Sequence, residues 1–214
     1  MGLQGRWQEA TADAFLILKV EPTESFNYHR LAGLLAITHD RPAYEQICQR
    51  FLTNFANPKN PYVAERMAQD CLLLPHSGAD LALVDKLADT AVTLGSSEAS
   101  LPYFQVCKAM SNYRLGRFPE AIEWAEKVTK SSLVEAQAKA FAVLAMAHWQ
   151  LGQRDIARAM LAKGDTLAPS IQPARGAKDI GELWVPWIFA RVSLDEATAL
   201  IQSGSTTEHN SNKP

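Results

Sequence analysis

Leu115-Gly116-Arg117-Phe118-Pro119-Glu120-Ala121 recurs 36 residues later as Leu151-Gly152-Gln153-Arg154-Asp155-Ile156-Ala157. Both copies set Gly five positions before Ala, with an apolar residue in front of the Gly. A third copy, Gly5-Arg6-Trp7-Gln8-Glu9-Ala10, stands near the start of the chain. A degraded fourth reads Thr38-His39-Asp40-Arg41-Pro42-Ala43-Tyr44. His39 and Gly116 are 77 positions apart, which leaves room for two units of about 38 residues. Pro22 follows Gly5, and Pro169 follows Gly152, at the same distance of 17.

A physical unit explains this spacing. Ahead of each Gly runs a segment with helical apolar periodicity, such as Phe141, Leu144, Ala145 and His148-Trp149. The Gly ends that helix because it accepts the left-handed cap conformation. A second helix then starts within a few residues, with Pro119 suited to its first turn. Ala121 and Ala157 are small enough for two helices to cross closely, and the following Pro is expected to stop the second helix. Such a helix–turn–helix cannot bury its apolar face alone and must stack on its neighbours.

Composition agrees. The 214 residues include 32 Ala and 24 Leu but only 10 Val and 9 Ile, so helix formers dominate and β-branched residues are scarce. A net charge of −2 supplies no basic field for nucleic acid or anionic lipid, and Lys and Arg are spread among the acids. No window approaches the ~18 apolar residues of a membrane span, and the start lacks a secretory signal. Cys48, Cys71 and Cys107 are far apart and odd in number, as expected of reduced, buried thiols in a cytoplasmic protein.

The Gly, Ala and Pro spacing of Leu115-Gly116…Ala121, Leu151-Gly152…Ala157…Pro169 and Gly5…Ala10…Pro22 resembles the tetratricopeptide repeat (TPR) family. The usual Trp early in the first helix is absent, with Gln105 and Phe141 in that region. More narrowly, Tyr28-His29-Arg30-Leu31-Ala32…Asp40…Tyr44…Pro61…Ala64-Glu65-Arg66…Cys71-Leu72-Leu73-Leu74-Pro75 is similar to TPR regions at the C-terminal end of bacterial serine/threonine-kinase-like and WD40-containing proteins. The resemblance spans residues 5–202. It implies an all-α fold, an α–α superhelix of about four TPR-like helix pairs with a C-terminal capping helix.

Helices are predicted near 6–20, 26–38, 41–56, 61–74, 80–95, 101–115, 118–130, 133–151, 154–166 and 181–202. They form one repeat domain, 1–203, followed by a polar tail, 204–214, expected to be disordered. The third unit is weakest, with only Ser77-Gly78 at its turn. The first helix reads as the second half of a repeat whose first half is missing. This suggests a fragment of a longer chain, with an orphan face at Phe15, Leu16 and Leu18 open to self-association. Pro169–Asp179 reads as a linker. In the last helix Trp184, Trp187, Ile188, Phe189 and Leu194 suit a cap on the stack, with Pro186 either in its first turn or at a kink.

No phosphate-binding glycine loop, HExxH or helical His pair occurs, so neither cofactor, metal nor catalysis has support from motifs. A catalytic role would need a converging polar cluster, and none is legible in the spacing. Function is expected instead in the groove that the family's inward positions line. On this chain those include His29 and Gly33, then Tyr103, Met110, Tyr113 and Arg114, then Lys139, Met146 and Trp149. This aromatic, Met-rich lining suits a protein or peptide partner, an apolar helix or an extended segment. Two alternatives stand beside that reading: Tyr113 and Trp149 pack as core, or the chain's own Trp184–Phe189 helix fills the groove.

Overall fold

The structure is a computed structural model and describes residues 6–171 and 184–211. Among the described residues there are ten α-helices and no strand. They are α1 (Trp7–Val20), α2 (Ser25–Ile37), α3 (Arg41–Asn54), α4 (Pro61–Leu72), α5 (Leu81–Leu94), α6 (Leu101–Arg114), α7 (Phe118–Glu126), α8 (Val134–Gln150), α9 (Arg154–Ile171) and α10 (Trp184–Ser211). The fold is all-α, and helices pack against their neighbours in sequence. In addition α2, α4, α6 and α8 touch one another in that order, so they form one row, and α10 lies against α2, α8 and α9.

The quoted repeat shows itself in the backbone. Gly116 and Gly152 both have φ +75°, and His39 occupies the equivalent left-handed position at φ 61°. At each of the three turns the same pair of bonds closes the helix. Gly116 N–H donates to Tyr113 O and Arg117 N–H to Asn112 O; Gly152 and Gln153 do likewise to Trp149 and His148, and His39 and Asp40 to Ala36 and Leu35. This is the Schellman closure, which consumes the helix's last carbonyls. His39 in a glycine position is why that copy looks degraded in sequence. Ala10, Ala121 and Ala157 each donate to the carbonyl four residues back, across the start of the next helix. All three are buried, Ala121 and Ala157 completely. Gly5 lies outside the described residues.

Side-chain caps start the less regular pairs. Asp40 accepts from Ala43 N–H at 3.2 Å, Asn60 from Tyr62 N–H at 2.8 Å and Asp80 from Ala82 N–H at 2.9 Å. Each satisfies an amide that a helix start otherwise leaves orphaned. Pro stands in the first turn of α3, α4, α6 and α7.

Three boundaries depart from expectation. Helix α7 stops at Glu126, where Thr129 and its neighbours turn, the Thr129 hydroxyl donating to Glu126 O. Helix α9 continues to Ile171, so Pro169 sits in its last turn, not behind it. A proline near a helix end forfeits one amide bond but keeps a helical φ. Helix α10 runs to Ser211, into the segment expected to be disordered, since adding a residue to a formed helix costs far less than nucleating one. Residues 172–183, the remainder of the expected linker, and 212–214 lie outside the described residues. On α1 the stripe that packs on α2 is Ala10, Ala14 and Leu18, spaced by four. Leu18 is therefore core, and Phe15 and Leu16, off that stripe, are exposed along with Ile17 and Val20.

Candidate functional site

The face formed by α2, α4, α6 and α8 carries the predicted groove residues, and α10 lies on it. Phe189 is completely buried, its ring stacked on the His29 imidazole with centroids 4.4 Å apart. Beneath it, a Cβ added to Gly33 would come within 3.0 Å of the Phe189 ring edge. Val185, Ile188, Leu194 and Ala197 of α10 are buried as well. Pro186 falls in the first turn, which settles the choice between turn and kink.

Of the nine predicted groove residues, all but Tyr103, Tyr113 and Arg114 are buried. Met146 is fully buried and Met110 nearly so, Met110 beside Phe189 and Ser193. Trp149 is 5% exposed and packs towards α9, with the Arg154 guanidinium 3.8 Å over its ring. It is core, not groove lining, because it stands on the last turn of α8 where the chain doubles back into α9. Arg114 forms a fork with the Glu196 carboxylate of α10, and donates to the Leu72 carbonyl at the end of α4 from Nε (3.1 Å) and Nη2 (2.9 Å). Neighbouring Glu196 holds the guanidinium protonated beyond its ordinary range against the opposing effect of burial. Tyr113 rests beside Phe118, ring centroids 5.9 Å apart.

His29, Tyr103 and Lys139 belong to a polar cluster that the sequence reading missed. His29 Nδ1 lies 2.6 Å from Asp70 Oδ1, both side chains buried. The second Asp70 oxygen is buried, without a hydrogen-bond partner among the described residues. Lys139, 4% exposed, donates from Nζ to the Gln69 side-chain oxygen. Glu65, one helical turn before Gln69, is 6% exposed, and no hydrogen-bond donor among the described residues reaches its carboxylate. Burial raises the pKa of Glu65 and of Asp70 above the ordinary carboxylate range, opposed by His29 and Lys139. Burial likewise pulls Lys139 below the ordinary lysine value. The cluster draws on α2, α4, α6 and α8, residues 29 to 139, so no local spacing reveals it. The one available signal was Glu65, Gln69 and Asp70 standing in a segment whose other inward positions are apolar.

Beside this cluster is a pocket of about 220 Å³, walled by Phe26, Tyr62, Glu65, Arg66, Tyr103 and Lys139 and closed on one side by Pro186 of α10. A larger hollow of about 480 Å³, between residues 57–59 and α5, is lined by exposed side chains such as Leu83, Thr93 and Leu94 and contains no buried charge. The smaller pocket sets the desolvated Glu65 and Lys139 side chains in one enclosure. No group of three or more His, Cys, Asp or Glu among the described residues is disposed to hold a metal ion. Cys48, Cys71 and Cys107 are free and buried, and burial pushes the Cys107 thiol well above its usual range. Among the described residues no helix is long and apolar enough to cross a membrane.

Compared with known proteins, the chain matches no protein-family model and has no significant match among curated sequences.

Proposed function

We propose that this chain is a protein-interaction module of the TPR-like kind, whose face of α2, α4, α6 and α8 recognises an amphipathic helix, with α10 as the helix it holds in cis. One observation carries the reading: Ile188 and Phe189 of α10 are completely buried against a row of helices that already forms its own contiguous contacts. Helix-in-groove recognition has this form, with apolar anchors at helical spacing entering a preformed surface. Residues Val185, Phe189 and Val192 define the pattern a partner helix would share. The repeat spacing at Gly116 and Gly152, with their identical closures, supports the family resemblance on which the reading leans.

The test uses the full chain with Ile188→Glu and Phe189→Glu, which drives α10 off the face. A labelled synthetic peptide spanning residues 184–203 should bind this variant in trans, and wild type at least about tenfold more weakly because α10 competes. Loss of helicity throughout the variant would make α10 an inseparable part of the core and end the groove reading.

A second reading is structural: the chain self-associates, or forms part of a longer kinase-like or WD40-containing protein. The exposed run Phe15, Leu16, Ile17 and Val20 on α1 favours it, since a second copy would cover that face. Sedimentation of Leu16→Asp beside wild type decides; an unchanged monomer in both removes self-association through α1.

A further inference from the structure

Glu65, Arg66 and Lys139 bring three ionisable side chains of opposite sign to one pocket, and none of them is ion-paired among the described residues. Buried charges in proteins are ordinarily paired or fully hydrogen-bonded. Here Lys139 has three protons and one protein acceptor, Gln69. Arg66 donates to Ser25 Oγ at 2.9 Å and lies 4.8 Å over the Phe26 ring, which leaves most of its donors unused. The Glu65 carboxylate, facing the pocket, receives no hydrogen bond among the described residues. Opposite charges share a small enclosure without closing on one another.

We infer that this pocket binds a free α-amino acid, its carboxylate taken by Lys139 and Arg66, its ammonium by Glu65. A single anion would leave Glu65 unmet, and a single cation would leave both basic groups unmet; a zwitterion answers all three. The remaining walls are aromatic, from Phe26, Tyr62, Tyr103 and Phe104, and suit an apolar side chain and the flank of an ammonium. At about 220 Å³ the pocket is smaller than the ~300–1,000 Å³ typical of ligand sites, which selects a compact molecule. This site lies on the same face of α2, α4, α6 and α8, beside the α10 contact: His29 and Lys139 line it and also meet Phe189, and Pro186 closes one wall.

The probes are the common L-amino acids at millimolar concentration, read by thermal shift and then by calorimetry on the full chain. At least one compact apolar or aromatic amino acid should raise the melting temperature, and its N-acetyl and carboxamide forms should not. Glu65→Gln should weaken binding at least about tenfold while raising the melting temperature of the ligand-free protein. That opposition of signs is what a purely structural residue would not produce. Arg66→Gln, at a partly exposed position, should weaken binding without loss of fold. If no amino acid shifts melting, or the acetylated form binds as well as its parent, the pocket is a hydrated chamber and the inference fails.

Discussion

The Phe189 ring stacks on the His29 imidazole at 4.4 Å, and a Cβ at Gly33 would meet its edge at 3.0 Å, a tight contact. Gly33 is mid-helix, so Ala there gains about 0.5–1 kcal/mol of helix propensity. Against this, Phe189 is completely buried and cannot retreat. Gly33→Ala should come out near neutral or slightly destabilising. Gly33→Leu should cost at least the ~1–3 kcal/mol of overpacking and uncouple α10. Chemical denaturation checks the first, and protease sensitivity of residues 184–203 checks the second.

The fork between Arg114 and Glu196 is the polar counterpart of that contact. Arg114 also serves the Leu72 carbonyl, so it ties α6 to the end of α4 and to α10 at once. Removing one partner of a buried pair strands the other. Glu196→Gln should therefore destabilise by on the order of 3 kcal/mol, more than an exposed pair would. The double variant Arg114→Met with Glu196→Met should recover part of that loss in a double-mutant cycle.

Trp149→Ala tests the reassignment of this residue from groove to core. With 5% exposure and Arg154 over its face, truncation should cost about 3–5 kcal/mol. Tyr113→Ala, at a half-buried position, should cost clearly less. Equal effects would contradict the distinction drawn between the two rings.

Much of the fold was legible because Gly, Ala and Pro act through backbone geometry within a few residues. Gly116 and Gly152 needed a left-handed turn, and Ala121 and Ala157 needed close crossings, so helix pairing followed from spacing alone. Ala121→Leu accordingly should lower stability by ~1–3 kcal/mol; unchanged melting would undo the repeat reading. His39 hid its turn because it adopts a glycine conformation without being one. The site was less legible, for a different reason. His29, Asp70, Glu65 and Lys139 meet only after three helices pack, and nothing within one helix marks Lys139 as buried. Whether α10 or a partner covers a lining residue such as Met110 is likewise a property of tertiary packing, which spacing does not encode.

The buried cluster sets a pH dependence whose sign can be worked out. Glu65 and Asp70 have folded-state values raised above their ordinary 4.5 and 3.8, chiefly by burial. In the window between the ordinary and the raised values, the folded chain holds protons that the unfolded chain has already released. Stability therefore falls as pH rises through that window and is restored on acidification towards the ordinary values. His29, Arg66 and Lys139 face these carboxyls and moderate the fall without reversing it. Glu65→Gln cannot ionise. Its melting temperature should exceed that of wild type near neutral pH, and the gap should close as pH approaches about 4, where the wild-type carboxyl is protonated in both states. Calorimetric melting across that range provides the check. A gap that widens in acid would mean that Glu65 is stabilised as a carboxylate in the folded protein, with its folded-state value depressed, not raised.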